Sequence, residues 1–422
     1  MKNKLYNNIF NKFRPPLLIY DTILLVEIAV SFFYIINMII SSISNYNTST
    51  LLLKTASILF LLLTVIIVRN KLQIDCKYIF TSTGNLKVFI ILSILLFILA
   101  LSLIHTHNKI FGLQKFYLIV VQLVPTVIIT AILLSSWNKN RSFAFTFNLI
   151  VIGISAVLIS LLIKPFNPFS VYKFSVDRWS HVVFGRFLGI PVILSLYLML
   201  KFEIYTDKIF WEILFLFLFI GLLLSGFRAG IIGIVLVFLI VIIYQITYNY
   251  KKSKKNNFYY ILGAIVVLIL FILIVKPGLT GKRFEFIKLN HGLEIFQDPG
   301  IKSRLGSYNT TFKIGKENLL FGAGLGGFNN EKDLFTNQMK YPHNIFLEFF
   351  SELGLIGLIF LITILSIIFK STYKINPWIT ILYLFFLWLS LFSKDIPSNT
   401  ILFTGIAFWN LKINRTVELL NC

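Results

Sequence analysis

His343 stands between Pro342 and Asn344 at the head of a long apolar run, in the stretch KYPHNIFLEFFSELGLIGLIF at 340–360. A histidine there is either a capping or interfacial side chain, or a group that takes a proton from a hydroxyl near neutral pH. The proline before it extends the chain, and the positive end of the helix behind it favours a neutral, proton-accepting imidazole. Glu348 and Glu352 lie four residues apart, so a helix carries both on one face. Within an apolar run these carboxylates must face the bundle interior, either pairing with basic residues or lining a polar cavity.

Three arginines supply opposite charge. Arg228 stands in LLLSGFRAGIIG, Arg304 in IKSRLGSYNTTFK and Arg186 in HVVFGRFLGIP. Arg228 reads as a snorkelling cation between Gly226 and Gly230, or as a cation at the edge of a wet cavity, kept for an anionic ligand. A guanidinium forks onto two phosphate oxygens and stays charged when desolvated, so converging arginines suit a diphosphate. Gly322, Gly324 and Gly327 in FGAGLGGF match the dinucleotide fingerprint in form, but no strand–turn–helix unit surrounds them and they read as a turn. No DxD motif and no His/Cys/Asp cluster with ligand spacing marks a metal site, and no cofactor is expected.

The elements that must position these residues are membrane helices. The 422-residue chain is 57% hydrophobic and 13% charged, which points to a polytopic membrane protein. Apolar runs of near-spanning length fall at about 17–40, 51–68, 87–104, 116–136, 143–163, 184–202, 209–225, 229–248, 259–275, 344–369, 377–393 and 399–411. None alternates with period two, so the fold class is all-α with about twelve transmembrane helices in a single domain, 1–422. The first run is too long for a signal-peptide core and reads as an uncleaved span. Cys76 and Cys422 imply no disulfide framework.

Basic residues in alternate loops set the orientation. One face holds 20 Lys and Arg, counting the amino-terminal tail and the KKSKK run at 251–255, and the short loops of the other hold 7. The first face is therefore cytoplasmic, with both termini inside. The net charge of +22 then reads as topology plus attraction to anionic lipid, and nucleic acid is excluded as a partner. Residues 276–343, between the ninth and tenth spans, form one long outer loop with ten basic and six acidic residues. A connection this long is usually functional, and SRLGSYNTTFKIGKENLLF within it suggests short helices lying on the membrane.

LLLSGFRAG, then an outer loop with SRLGSYN and FGAGLGGF, then YPHNIFLEFFSELGLIG, resembles the O-antigen polymerase and ligase superfamily over about 184–369. The resemblance implies a bacterial inner-membrane glycosyltransferase of GT-C-like architecture, acting on the periplasmic face without a metal. Its donor would be an oligosaccharide on undecaprenyl diphosphate. Its acceptor would be another lipid-linked repeat unit in a polymerase, or lipid A core in a ligase, and the form YPHNIFLEFF…ELGLIG is closer to the polymerases. A chain-length regulator is an implied partner. By motif, Arg228 and Arg304 fall on diphosphate-binding positions, Arg186 near another, and His343 on the histidine that assists the acceptor. Twelve spans also fit a glycolipid flippase, but major-facilitator transporters carry their long link inside between helices six and seven, where this chain has only EIYTDK.

Overall fold

The computed structural model describes residues 83–135, 139–163, 181–201, 205–249, 299–329, 341–392 and 396–410, and every regular element among them is helical. The runs expected at 17–40, 51–68 and 259–275 lie outside the described residues, as do both termini and loop residues 276–298 and 330–340. In chain order the helices are α1 (Thr83–His105), α2 (Lys109–Leu118), α3 (Val124–Ser135), α4 (Lys139–Ile163), α5 (His181–Lys201), α6 (Tyr205–Leu224) and α7 (Arg228–Asn249). There follow α8 (Pro299–Glu317) in the long loop, α9 (Ile345–Ile375), α10 (Pro377–Ser390) and α11 (Thr400–Thr404). A π-helical turn at Ile119–Leu123 joins α2 to α3, and 3-10 turns occupy Gly327–Asn329, Ile396–Asn399 and Gly405–Asn410.

Among the described residues, four stretches are long and apolar enough to cross a membrane: Leu86–His105, Lys109–Ile128, Phe184–Lys201 and Ile345–Ile375. Phe145–Leu161, Ile209–Leu224, Arg228–Val241 and Pro377–Ser390 are shorter apolar helices. Among the described residues the chain is thus all-helical, with helices of the length and composition of membrane spans. Helix α5 runs through its middle, where Phe184, Phe187, Leu188 and Val192 lose all contact with solvent. Its internal Pro191 is accommodated by Gly153 of α4, where a Cβ would come within 2.7 Å of the proline ring. Phe97, Ile104 and Ile359 instead face outward, as side chains against lipid do.

Contacts sort the helix ends onto two faces. On one, Lys201 lies over the Tyr197 ring, which packs edge-on against Trp378 at the start of α10, and Asn376 caps that helix. On the other, Thr106 after α1 meets Leu325 of the long loop, Arg186 near the start of α5 meets Asn399, and Tyr308 of α8 meets Leu391 after α10. The long-loop face therefore gathers the turns that the sequence reading placed together outside.

Several helix boundaries depart from the apolar runs, notably those of α2 and α9. The helix expected to begin at 116 begins at Lys109, capped by Asn108, whose side chain accepts the Phe111 N–H at 3.1 Å. The run at 344–369 extends to Ile375 and is broken at Gly354, whose φ of 67° and ψ of −160° are non-helical. The N–H groups of Leu355 and Ile356 bond to the carbonyls of Leu319 and Leu320, at 2.9 and 3.4 Å, and Ala323 N–H donates to Ser351 O at 2.8 Å. A backbone break in a spanning helix is tolerated where protein satisfies the freed groups, and the long loop does so here. A Cβ on Gly354 would stand 2.3 Å from the Leu320 carbonyl oxygen, in a backbone region open essentially to glycine alone. Gly354→Ala should therefore lose about 1–3 kcal/mol of stability, read as an earlier thermal transition in detergent. A wild-type transition would show that the break is not required.

Candidate functional site

Helix α2 buries Phe111, Gly112, Lys115 and Leu118, a stripe at helical spacing that turns Lys115 into the bundle. Its ammonium reaches both carboxylates of α9: Nζ lies 2.5 Å from Glu348 Oε1 and 2.6 Å from Glu352 Oε2. All three side chains are sealed off, with at most 1% of their surface exposed. Of the two readings open for the glutamates, pairing with a basic residue is the one seen. The cluster is buried, and it ties α2 to the first turns of α9.

The glycine-rich turn lies beside this cluster. Gly322, Gly324 and Gly326 have φ of 70°, 82° and 79°, all in the left-handed region that glycine enters freely. Gly322 passes so close to α9 that a Cβ would stand 2.3 Å from the Glu352 carbonyl carbon. Leu325 then presents its carbonyl to the Thr106 hydroxyl at 3.0 Å. The glycines are there for backbone approach, as a turn that fastens the long loop onto α1, α2 and α9.

The arginines share one end of the bundle through a chain of contacts. Phe227, in the turn before α7, fills the space beside Gly185, where a Cβ would meet its Cβ at 2.5 Å; the first turns of α5 and α7 therefore touch. This sets Arg186 and Arg228 at neighbouring helix starts. Arg186 is buried and donates from Nη2 to Asn399 Oδ1 at 3.2 Å. Arg228 opens α7 and is partly exposed. Next to it, the Ala229 carbonyl accepts Trp388 Nε1–H from α10 at 2.8 Å. One turn past Trp388, Leu391 O accepts the Tyr308 hydroxyl of α8 at 3.2 Å, and Arg304, exposed, lies one turn before Tyr308. Burial raises the Tyr308 pKa, and the nearby Arg304 charge partly opposes that rise.

His343 adopts a φ of 61°, the sole left-handed non-glycine among the described residues. Its ring packs edge-on against Tyr341, with centroids 4.6 Å apart. Asn344 caps α9, accepting the N–H groups of Phe346 and Leu347 at 3.0 and 3.2 Å. A non-glycine residue held there stores strain, and such strain clusters at functional sites. Helix α8 runs beside α9, with the Phe312 and Phe350 rings 6.0 Å apart, so His343 and Arg304 belong to the same face. Sequence reasoning missed Lys115, Tyr308 and Asn399. Lys115 left a signal, its place on the Phe111–Leu118 stripe; the other two left none.

A buried charge cluster, a strained histidine and gathered arginines mark one face of the helical bundle as the candidate site. Residues 213–362 match the family model described as O-antigen ligase. The match runs from α6 into α9, taking in Arg228, Arg304, His343 and both glutamates, and it supports the O-antigen polymerase and ligase superfamily that the motifs imply. No curated protein matches the chain.

Proposed function

We propose that the protein is a surface-polysaccharide polymerase. It transfers a growing glycan from undecaprenyl diphosphate to a sugar hydroxyl of another lipid-linked repeat unit. The reading carries with it about twelve spans in one GT-C-like domain, 1–422, with 276–343 as a periplasmic loop, both termini cytoplasmic and the bacterial inner membrane as location. The observation that supports it best is the gathering of Arg186, Arg228 and Arg304 on the face that carries His343. The acceptor oxygen attacks the anomeric carbon, the bond from that carbon to the diphosphate oxygen breaks, and the lipid diphosphate leaves with the electron pair. His343 takes the hydroxyl proton, and the arginines hold the charge that builds on the leaving group, without a metal. Attack opposite the leaving group inverts the anomeric centre.

Ligation to lipid A core is the second reading, favoured by the description of the matched family. Gene deletion followed by gel analysis of surface glycan separates the two. Single repeat units on the cell surface support the polymerase. Full-length chains left on undecaprenyl diphosphate support the ligase, and loss of all external repeats would overturn both in favour of a flippase. Within this reading, Arg228→Ala and Arg304→Ala should each abolish elongation at normal protein levels, and lysine should rescue poorly because it cannot fork onto two oxygens. Wild-type chain length in Arg304→Ala would remove that residue from the site.

A further inference from the structure

Leu319, Leu320 and Phe321 belong to the outer loop by sequence, yet they sit at the level of the break in α9. Counting back from Lys370, about 20 residues at about 1.5 Å each cover a hydrocarbon core of about 30 Å and end near Phe350. Leu355 and Ile356 lie below that edge, and their N–H groups bond to Leu319 and Leu320. The loop therefore descends along α9, with Gly315 of α8 against the Phe350 ring, and turns at 319–321. It then climbs back to Ala323, which bonds to Ser351. At the tip, Leu319, Leu320 and Phe321 are 48%, 58% and 63% exposed, beside the outward-facing Ile356 and Ile359 of α9. Just above, on the last turns of α8, Lys313 and Lys316 are both exposed, with Lys316 Nζ over the Phe312 ring at 4.7 Å.

We propose that this segment is a re-entrant lipid-binding element: residues 319–321 insert into the acyl region, and Lys313 and Lys316 bind the headgroups of anionic lipids. Three outward apolar side chains at that depth have hydrocarbon as their matching surroundings. The lysines stand where their stems lie along the acyl boundary and their ammonium groups reach phosphate. The occupant is bilayer lipid rather than a protein, because the exposed tip is continuous with lipid-facing residues of a spanning helix. The inference is independent of the glycan-transfer reading.

The test uses the full chain with Cys76→Ser and Cys422→Ser, in vesicles of phosphatidylcholine with or without phosphatidylglycerol. A spin label at Leu320→Cys should collide with oxygen far more than with a water-soluble nickel chelate, matching a label at Ile359→Cys. Preferential collision with nickel overturns the insertion, and protection from both quenchers overturns it in favour of a protein partner. With a fluorophore at Leu320→Cys, brominated phosphatidylglycerol should compete for the site about fivefold or more better than brominated phosphatidylcholine. Lys313→Gln with Lys316→Gln should abolish the preference without moving the label out of the acyl region. Equal quenching by both lipids in the parent chain overturns the headgroup assignment.

Discussion

Lys115→Met is expected to remove about 3–5 kcal/mol of stability, because it leaves two carboxylates of α9 facing each other without their shared cation. Met matches the lysine stem in length and apolar character, so lost packing contributes little. The informative partner is the triple variant Lys115→Met, Glu348→Gln, Glu352→Gln. It keeps the volumes and removes every charge, and neutral replacement of a whole buried ion cluster is often close to neutral in stability. The triple variant should therefore recover most of what the single one loses, measured by thermal unfolding in detergent and by yield of folded protein. A Lys115→Met chain as stable as wild type would mean that the cluster does not hold α2 to α9.

His343→Asn is expected to lower turnover by about 10²–10⁴ while leaving the fold intact. Asparagine is the suitable substitution because it enters the left-handed region at modest cost, so the φ of 61° survives and only the imidazole is lost. Alanine would mix loss of the ring with backbone strain. With purified protein and lipid-linked substrate, wild-type turnover should fall on the acid side as the imidazole takes up a proton and can no longer act as base. The residual activity of His343→Asn should lack that acid limb, whereas substrate binding persists. An acid limb retained in the variant would assign the proton transfer to another group.

The helices around α5 to α7 are legible from hydropathy alone, because apolar runs such as 184–202 and 209–225 are bounded by charge. The start of α2 is not. Lys109 and Lys115 interrupt the apolar run, and the charge of Lys115 is compensated by carboxylates more than 230 residues away, which no local window contains. The break at Gly354 is hidden for a related reason: LGLIG reads as an ordinary packing stretch, and its left-handed turn is set by the carbonyls of Leu319 and Leu320. Arg228, Arg304 and His343 are legible as candidates from residue type and setting. Their gathering depends on Phe227 against Gly185 and Tyr308 against Leu391, which exist only in the folded chain. The pairing of Arg186 with Asn399 is tertiary in the same sense.

The break in α9 also orders events during synthesis. The carbonyls that satisfy Leu355 and Ile356 come from residues made about 35 positions earlier, so they leave the ribosome before their partners on α9 do. Until they dock, the only way for this stretch to satisfy its own backbone in lipid is to remain a continuous helix. Gly354 can then switch to its left-handed conformation only when the returning loop arrives, which makes the kink a late step in biogenesis. A chain whose loop is delayed or mispaired would pause with α9 straight, inserted but unfinished.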